Sequence, residues 1–365
     1  MNDRRTDGRW AGLDGLRGIA SFAVVIHHSL LRGTDIGGLS VFLFFILSGF
    51  LITGILHRAR LKIEAGRARI GAALSDFWWR RALRIFPAYY LWLAIWVTSE
   101  ALRGDRSMLP ELGWYLTYTQ NLLIGFVTYA WGDFTHVWSL AVEQQYYVFF
   151  APLVVILPAK LHTRLMIGTI LLCLILIEAL NLDGFEMISL YTAPITGFVF
   201  MAAGALMTLE IDRLPTAFGS PLVLAAIGPA IVALACYPVA ERTVGFHLPY
   251  AVLVIASVTA LSGLMIHVLA RPDGALVRIL ETRPLKYLGL ISYGLYVVHL
   301  PIGIWAARML PLDAWAAASG LSENVVEFLV MAPASIAVAS LSFFLFEAKF
   351  LALKDRGRRA AVAVP

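Results

Sequence analysis

The amino-acid sequence predicts an all-α polytopic membrane protein with about ten transmembrane helices and one re-entrant segment on the outer side. Three observations carry this fold class. Of 365 residues, 59% are hydrophobic and 15% charged, and the mean hydropathy is +0.77, too apolar for two or three soluble domains of this length. The apolar residues gather into runs near the roughly 20 residues a helix needs to cross a bilayer. Lys and Arg concentrate in some connections and are sparse in others, as membrane topology requires.

The spans expected in chain order are 13–32, 38–57, 84–102, 136–157, 166–180, 190–208, 221–237, 249–270, 287–309 and 326–347. Segments 58–84, 271–286 and 348–365 are rich in Lys and Arg, whereas 103–113, 181–189, 238–248 and 310–325 are poor in them. Positive loops stay inside, so both termini are expected in the cytoplasm. The first span is read as an uncleaved anchor, because no A-x-A site follows it and Arg17 interrupts it. The longest basic connection, 58–83, carries Arg58, Arg60, Lys62, Arg67 and Arg69 and is expected to lie on the anionic inner leaflet. Segment 114–127, WYLTYTQNLLIGFV, is apolar but short and holds Thr117, Thr119, Gln120 and Asn121. Counting it as a span would push the basic residues Lys354, Arg356, Arg358 and Arg359 outside, so it is read as the re-entrant or interfacial segment. Its polar cluster either touches substrate or holds helices together. One domain over 1–365 follows, with a helical core at 13–347 and a basic tail at 348–365.

The pI of about 9.2 is explained by this topology rather than by nucleic-acid binding. Cys173 and Cys236 lie in separate apolar segments without metal-ligand spacing and are read as packing residues. No metal site, P-loop, zincin helix or dinucleotide fingerprint is expected.

Polar groups inside apolar spans mark function, and four segments carry them. In LDGLRGIASFAVVIHH, residues 13–28, Arg17 and His28 are eleven apart and fall within about 20° of each other on a helix. Asp14 and Ser21 share that stripe, while His27 is turned roughly 80° away. In THVWSLAVEQQYYVFF, residues 135–150, His136, Ser139, Glu143 and Tyr147 share one face. Glu143 is expected at the depth of His28, where a carboxylate orients the imidazole or stabilises its protonated form; the alternative is a Glu that bonds two helices together. In FWWRRALRIFPAYY, residues 77–90, Arg80, Arg81 and Arg84 precede Pro87. Guanidinium groups there suit phosphate oxygens and equally suit positive-inside anchoring. In LGLISYGLYVVHLPI, residues 288–302, His299 either lines the same cavity or is a satisfied partner between helices, with Pro301 loosening the helix beyond it. FILSGFLI, residues 45–52, lacks the G-x-S-x-G elbow and is read as close packing through Ser48 and Gly49. His57, His162, His247 and His267 receive no role.

Taken in order, LDGLRG with Arg17-x10-His28, FFILSGFLI, RRALRIFPAYY, WSLAVEQQYY, ISYGLYVVHLPI and FLFEAKF with Glu347 resemble the acyltransferase 3 family of integral membrane acyltransferases. The resemblance implies transfer of an acyl group, commonly acetyl, from cytoplasmic acyl-CoA to a hydroxyl of a carbohydrate or glycolipid acceptor during decoration of surface polysaccharide. It implies that His28 is the essential histidine, Arg17 its partner, Arg81 and Arg84 the R-x-x-R pair and Glu143 the span carboxylate. His28 would act either as general base or as a transiently acylated relay, and Arg17, Arg81 and Arg84 would hold the phosphates of the CoA. Ser40 and Phe42 stand where many members carry a Gly and an acidic or polar residue, and neither is given a role. The esterase-like domain of some relatives is not expected, so either the membrane domain acts alone or a polysaccharide-assembly partner finishes the transfer. Two other classes remain in view: a transporter that moves an acyl group or small solute along the same seam, and a structural subunit of an assembly complex, which leaves the aligned stripes unexplained.

The Lys and Arg asymmetry generates a topology prediction. Single cysteines placed by Ala65→Cys or Arg356→Cys should stay unreacted with an impermeant thiol reagent in intact cells, whereas Ser107→Cys should react. Labelling at 65 or 356 would overturn the ten-span arrangement.

Overall fold

The computed structural model describes residues 5–6, 9–214, 216–245 and 247–355. Arg356, Arg358 and Arg359, and with them most of the expected basic tail, lie outside the described residues. The helices are α1 (Leu13–Ser29), α2 (Ile36–Glu64), α3 (Ile70–Leu102), α4 (Leu112–Leu116), α5 (Gln120–Leu123), α6 (Trp138–Ile156), α7 (His162–Leu182) and α8 (Met187–Thr192). They continue with α9 (Pro194–Leu209), α10 (Pro221–Val244), α11 (Tyr250–Ala270), α12 (Ala275–Leu280), α13 (Arg283–Met309), α14 (Leu312–Ser319), α15 (Glu323–Ser342) and α16 (Ala348–Ala352). Among the described residues, 8 helices are long and apolar enough to cross a membrane. All eight overlap expected spans. The other two expected spans, 13–32 and 190–208, form α1 and α9 with 17 and 16 residues. The only strands described are a two-stranded ribbon at Arg5–Thr6 and Arg9–Trp10.

Burial separates the helices into a centre and a periphery. Helix α2 is central: it packs on α1, α6, α9 and α11 and buries sixteen of its residues, from Gly37 to Leu56. At the edge, α10 buries none of its residues, and Leu171, Leu172 and Ile175 of α7 stay exposed, the apolar outward face that hydrocarbon solvates. The Ser48–Gly49 pair explains how the centre closes. A Cβ on Gly49 would stand 1.9 Å from the Met201 carbonyl oxygen, and one on Gly204 would stand 1.9 Å from that of Ile46, so α2 and α9 touch backbone to backbone.

The expected connection 58–83 is mostly helix. α2 runs on to Glu64 and α3 begins at Ile70, because i,i+4 ion pairs Arg60–Glu64 (3.0 Å) and Asp76–Arg80 (2.8 Å) extend the helices past their apolar runs. α3 and α13 also continue through Pro87 and Pro301, so the loosening expected after Pro301 does not end its helix.

Segment 114–127 is broken, as a re-entrant element would be: α4, a turn at Tyr118 with φ +55°, α5 and a π-turn at Ile124–Thr128. Its polar cluster holds the break together. Gln120 donates to the Val137 carbonyl at 2.9 Å and Asn121 to that of Thr192 at 3.2 Å, while Gln145 donates to the Tyr118 carbonyl at 3.0 Å. Gln120 and Asn121 are fully buried and tie the segment to open carbonyls at the start of α6 and the end of α8, while Gln145 of α6 satisfies the one at the break.

The α2–α9 contact yields a stability prediction. Gly204→Ala should lower the melting temperature in detergent, at an overpacking cost of about 1–3 kcal/mol. Gly168→Ala has open space at its Cβ and should hold or raise it, by up to about 1 kcal/mol of helix propensity. Equal melting temperatures would mean that the two backbones do not touch.

Candidate functional site: a chain of three cavities

Three cavities adjoin one another across shared lining residues. The first, about 960 Å³, opens where the chain begins and is lined by Arg9, Asp14, Arg58, Lys286, Tyr287 and Glu347 among others. The second, central and about 150 Å³, shares Arg17, Leu51, Arg84 and Tyr293 with it. The third, about 660 Å³, holds His27, His28 and His136 and shares Val41 and Tyr296 with the centre.

The central cavity gathers Arg17 from α1, Arg81 and Arg84 from α3, and Glu143 from α6. Three guanidinium groups thus face one carboxylate inside an apolar bundle. The Arg17 guanidinium donates to Ser292 Oγ at 3.1 Å, and that of Arg81 lies 5.7 Å from the centre of the Tyr147 ring. Glu143 accepts from the hydroxyls of Ser48 and Tyr147, themselves 2.6 Å apart. Ser139 bonds the Tyr296 hydroxyl at 2.7 Å. Arg80 turns away from the cavity to pair with Asp76, and Asp14 pairs with Arg9 at 3.6 Å.

The expectation that Glu143 meets His28 is corrected here. Glu143 is bonded to Ser48, and the third cavity, which His28 lines, does not include it. The reason lies in the antiparallel pairing of α1 and α2. The His27 ring is packed on Gly37; Ser48, eleven residues further along α2, lies about 16.5 Å away along the axis, as Arg17 does from His28 on α1. Glu143 therefore sits at the level of Arg17. Rise per residue gives depth along one helix but no offset between two.

In the third cavity both histidines of α1 are present. The His28 ring lies 5.1 Å from that of His299 and 4.8 Å from that of His27, so the expected turning away of His27 does not remove it from the chamber. His299 is fully buried behind the cluster, its Nδ1 bonded to the Tyr296 carbonyl at 2.6 Å. His136 Nε2 bonds the Val297 carbonyl at 3.0 Å. Those two bonds leave His299 Nε2 and His136 Nδ1 buried without a hydrogen-bond partner. Among the described residues, no group of three or more His, Cys, Asp or Glu is arranged to hold a metal ion.

Several site residues escaped the sequence reading. Ser48, read as packing, supports the Glu143 carboxylate. Tyr296 stands between the second and third cavities, and Asp35, Trp131 and Tyr191 line the third. For Ser48 and Tyr296 a signal existed, since polar groups within apolar runs invite the question. Asp35 and Trp131 lie in connections without periodicity.

The fold and the site together define a helical membrane protein in which a buried arginine cluster leads to a histidine cluster. Residues 10–344 match the acyltransferase 3 family model, described as an acyltransferase domain, and the chain belongs to that family. It is 26% identical over 357 residues to a peptidoglycan O-acetyltransferase of Listeria monocytogenes, covering 92% of this chain and 54% of the relative. A candidate peptidoglycan O-acetyltransferase of Bacillus subtilis is 27% identical over 315 residues, 80% of this chain and 48% of its own. A candidate O-acetyltransferase of Staphylococcus aureus is 32% identical over 171 residues, 44% and 27% of the two chains. The chain thus spans about half the length of the first two relatives. No solved structure matches it.

Proposed function

We propose that the protein is a membrane O-acyltransferase that moves an acyl group, acetyl by the names of its relatives, from acyl-CoA to a hydroxyl of a surface glycan such as peptidoglycan. The observation that carries this reading is the series of three cavities with shared walls. The wide first cavity suits the nucleotide end of CoA, with Arg17, Arg81 and Arg84 holding phosphates at its inner limit. The narrow centre suits an extended pantetheine arm and excludes a nucleotide. The thioester then arrives in the chamber of His28. As general base, the His28 imidazole takes the proton of the acceptor hydroxyl; the oxygen attacks the thioester carbonyl, the C–S bond breaks and CoA leaves as its thiolate. As relay, the imidazole nitrogen attacks the thioester carbonyl, the C–S bond breaks and CoA leaves as its thiolate; the acceptor hydroxyl then takes the acyl group, breaking the N–acyl bond and giving its proton to the imidazole so released. Glu143 is a positioning residue in this scheme: bound by Ser48 and Tyr147, it offsets guanidinium charge in the donor path. The basic residues at the first cavity, Arg9, Arg58 and Lys286, support a cytoplasmic position for that end by the positive-inside rule, and in this reading the histidine chamber lies toward the outer face of the inner membrane.

The purified chain should make acylated saccharide from acyl-CoA without other proteins; failure with intact acyl-CoA binding would favour a transporter that hands the group on. His28→Ala should abolish transfer, since losing a positioned base costs about 10²–10⁴-fold. His27→Ala should be milder, and Glu143→Gln severely impaired. A dead His27→Ala beside an active His28→Ala, at equal expression, would show that the reacting imidazole has been misassigned.

The donor site is tested by calorimetry of acyl-CoA binding to detergent-solubilised protein. Lys keeps the charge and loses the bidentate fork, so Arg84→Lys should weaken binding and Arg84→Ala should weaken it further, with Arg17→Lys and Arg81→Lys also reduced. Unchanged affinity in all three Lys variants would place the phosphates elsewhere.

A further inference from the structure

The histidine chamber has one wall that the donor does not use. Trp131 stands on it, in the turn entered through Tyr129 at φ +52° and leading to α6. It is 52% exposed, yet it is held in place. The ring lies 6.0 Å from Tyr191 at 79° and 6.3 Å from Trp138 at 59°, and Trp138 is itself 4.9 Å from Tyr191. Asp35 joins the same wall at the start of α2, fixed through its backbone N–H, which donates to the Ala235 carbonyl at 2.7 Å. A Cβ on Gly38 would stand 2.2 Å from Asp35 Oδ1 and 2.6 Å from the Tyr191 hydroxyl. Only a glycine there lets carboxylate and phenol sit side by side. A further group without a protein partner is the buried His136 Nδ1, on a side chain lining the same chamber.

We propose that this wall is the acceptor subsite: a pyranose ring rests its C–H face on the Trp131 indole, and Asp35 and Tyr191 take ring hydroxyls so that one hydroxyl is turned toward His28. A sugar ring has an apolar face of C–H groups and an edge of hydroxyl donors, which is the complement of an exposed indole beside a carboxylate. Pockets of this kind bind by apolar area and orient through a few convergent polar groups. A carboxylate accepts hydroxyl donors through charge-assisted bonds, and a site built on such bonds discriminates strongly against ligands lacking them. An acyl chain offers nothing to satisfy a carboxyl in that position, whose desolvation is costly when unmatched.

Burial pushes the Asp35 carboxyl up to about 7, against the opposing pull of the Gly38 N–H. The titratable groups around it are His27 and His28 from α1, His136 ahead of α6, Tyr191 from α8, Tyr250 from α11 and Tyr296 from α13. Arg242 of α10 bonds the nearby Gly33 carbonyl. The carboxyl ionises as pH rises through its pKa, and the ionised form is the stronger acceptor, so saccharide affinity rises between pH 6 and 8.

The orientation of a hydroxyl toward His28 rests on the acyltransferase reading; saccharide binding to the wall does not. The test titrates the full chain in detergent with tetrasaccharides of glucose, galactose and N-acetylglucosamine at pH 6 and 8, and separately with acetyl-CoA. At least one tetrasaccharide should bind wild type, more tightly at pH 8. Trp131→Ala should weaken it roughly tenfold, with Trp131→Phe restoring part of the loss. Asp35→Asn should weaken it by about tenfold or more at pH 8 and remove the pH dependence. Acetyl-CoA affinity should match wild type throughout, which also reports intact folding. No binding of any tetrasaccharide, or equal binding in wild type and both variants, overturns the subsite. Saccharide binding with this pattern in a protein that does not bind acetyl-CoA would leave the subsite standing and overturn the donor reading instead.

Discussion

Three guanidinium groups and one carboxylate inside an apolar bundle are the constraint around which the remaining architecture is arranged. A charge at the centre of a bilayer costs about 2.5–3.5 kcal/mol on insertion scales, and Arg17, Arg81, Arg84 and Glu143 all line one interior cavity. The bundle meets this cost by enclosing them. α1, α3 and α6 turn their charged faces inward together, Ser48 and Tyr147 hold the single carboxylate, and Ser292 receives Arg17. The positive charge that remains is what the phosphates of the proposed donor would offset.

Enclosure in turn depends on close approach at the centre. Backbone contact of α2 with α9 through Gly49 and Gly204 leaves the wider spaces to the faces of α2 that meet α1 and α6. At the far end of α3 and α13, Arg308 bonds Glu100 at 2.7 and 2.9 Å and Asp133 at 2.9 Å. This fixes the turn that carries Trp131 relative to the two long helices, so the rim of the histidine chamber is braced by a nearly buried carboxylate rather than left as a loose loop.

Much of this was legible in the residues and some of it was not. Apolar runs and the charge asymmetry located the spans, and eight of them are long helices. The Arg17–His28 stripe was readable because both residues lie on one helix with a fixed 100° step. The Arg81–Arg84 face was readable for the same reason. Glu143 was assigned to the correct face but to the wrong level, since offset between helices is a tertiary property. The helical extensions at Arg60–Glu64 and Asp76–Arg80 were hidden because hydropathy ends where the bilayer ends and a helix does not. Gln120 and Asn121 could be recognised as special but not apportioned between ligand and backbone. Asp35 and Trp131 gave no periodic signal, and chain connectivity alone does not bring the start of α2 beside the turn before α6.

The narrowness of the central cavity has a consequence of its own. Any protein offering a polar route from one face of an energised membrane toward the other risks becoming a conductor of protons. Here a cavity of about 150 Å³ lies between the two roomy ends, bounded by Val41 and Tyr296 on the histidine side and lined by hydroxyls already committed to Glu143 and Ser139. On the proposed donor path, widening the constriction that lets a slender thioester through would be felt as a leak in the ion gradient as well as a change in chemistry.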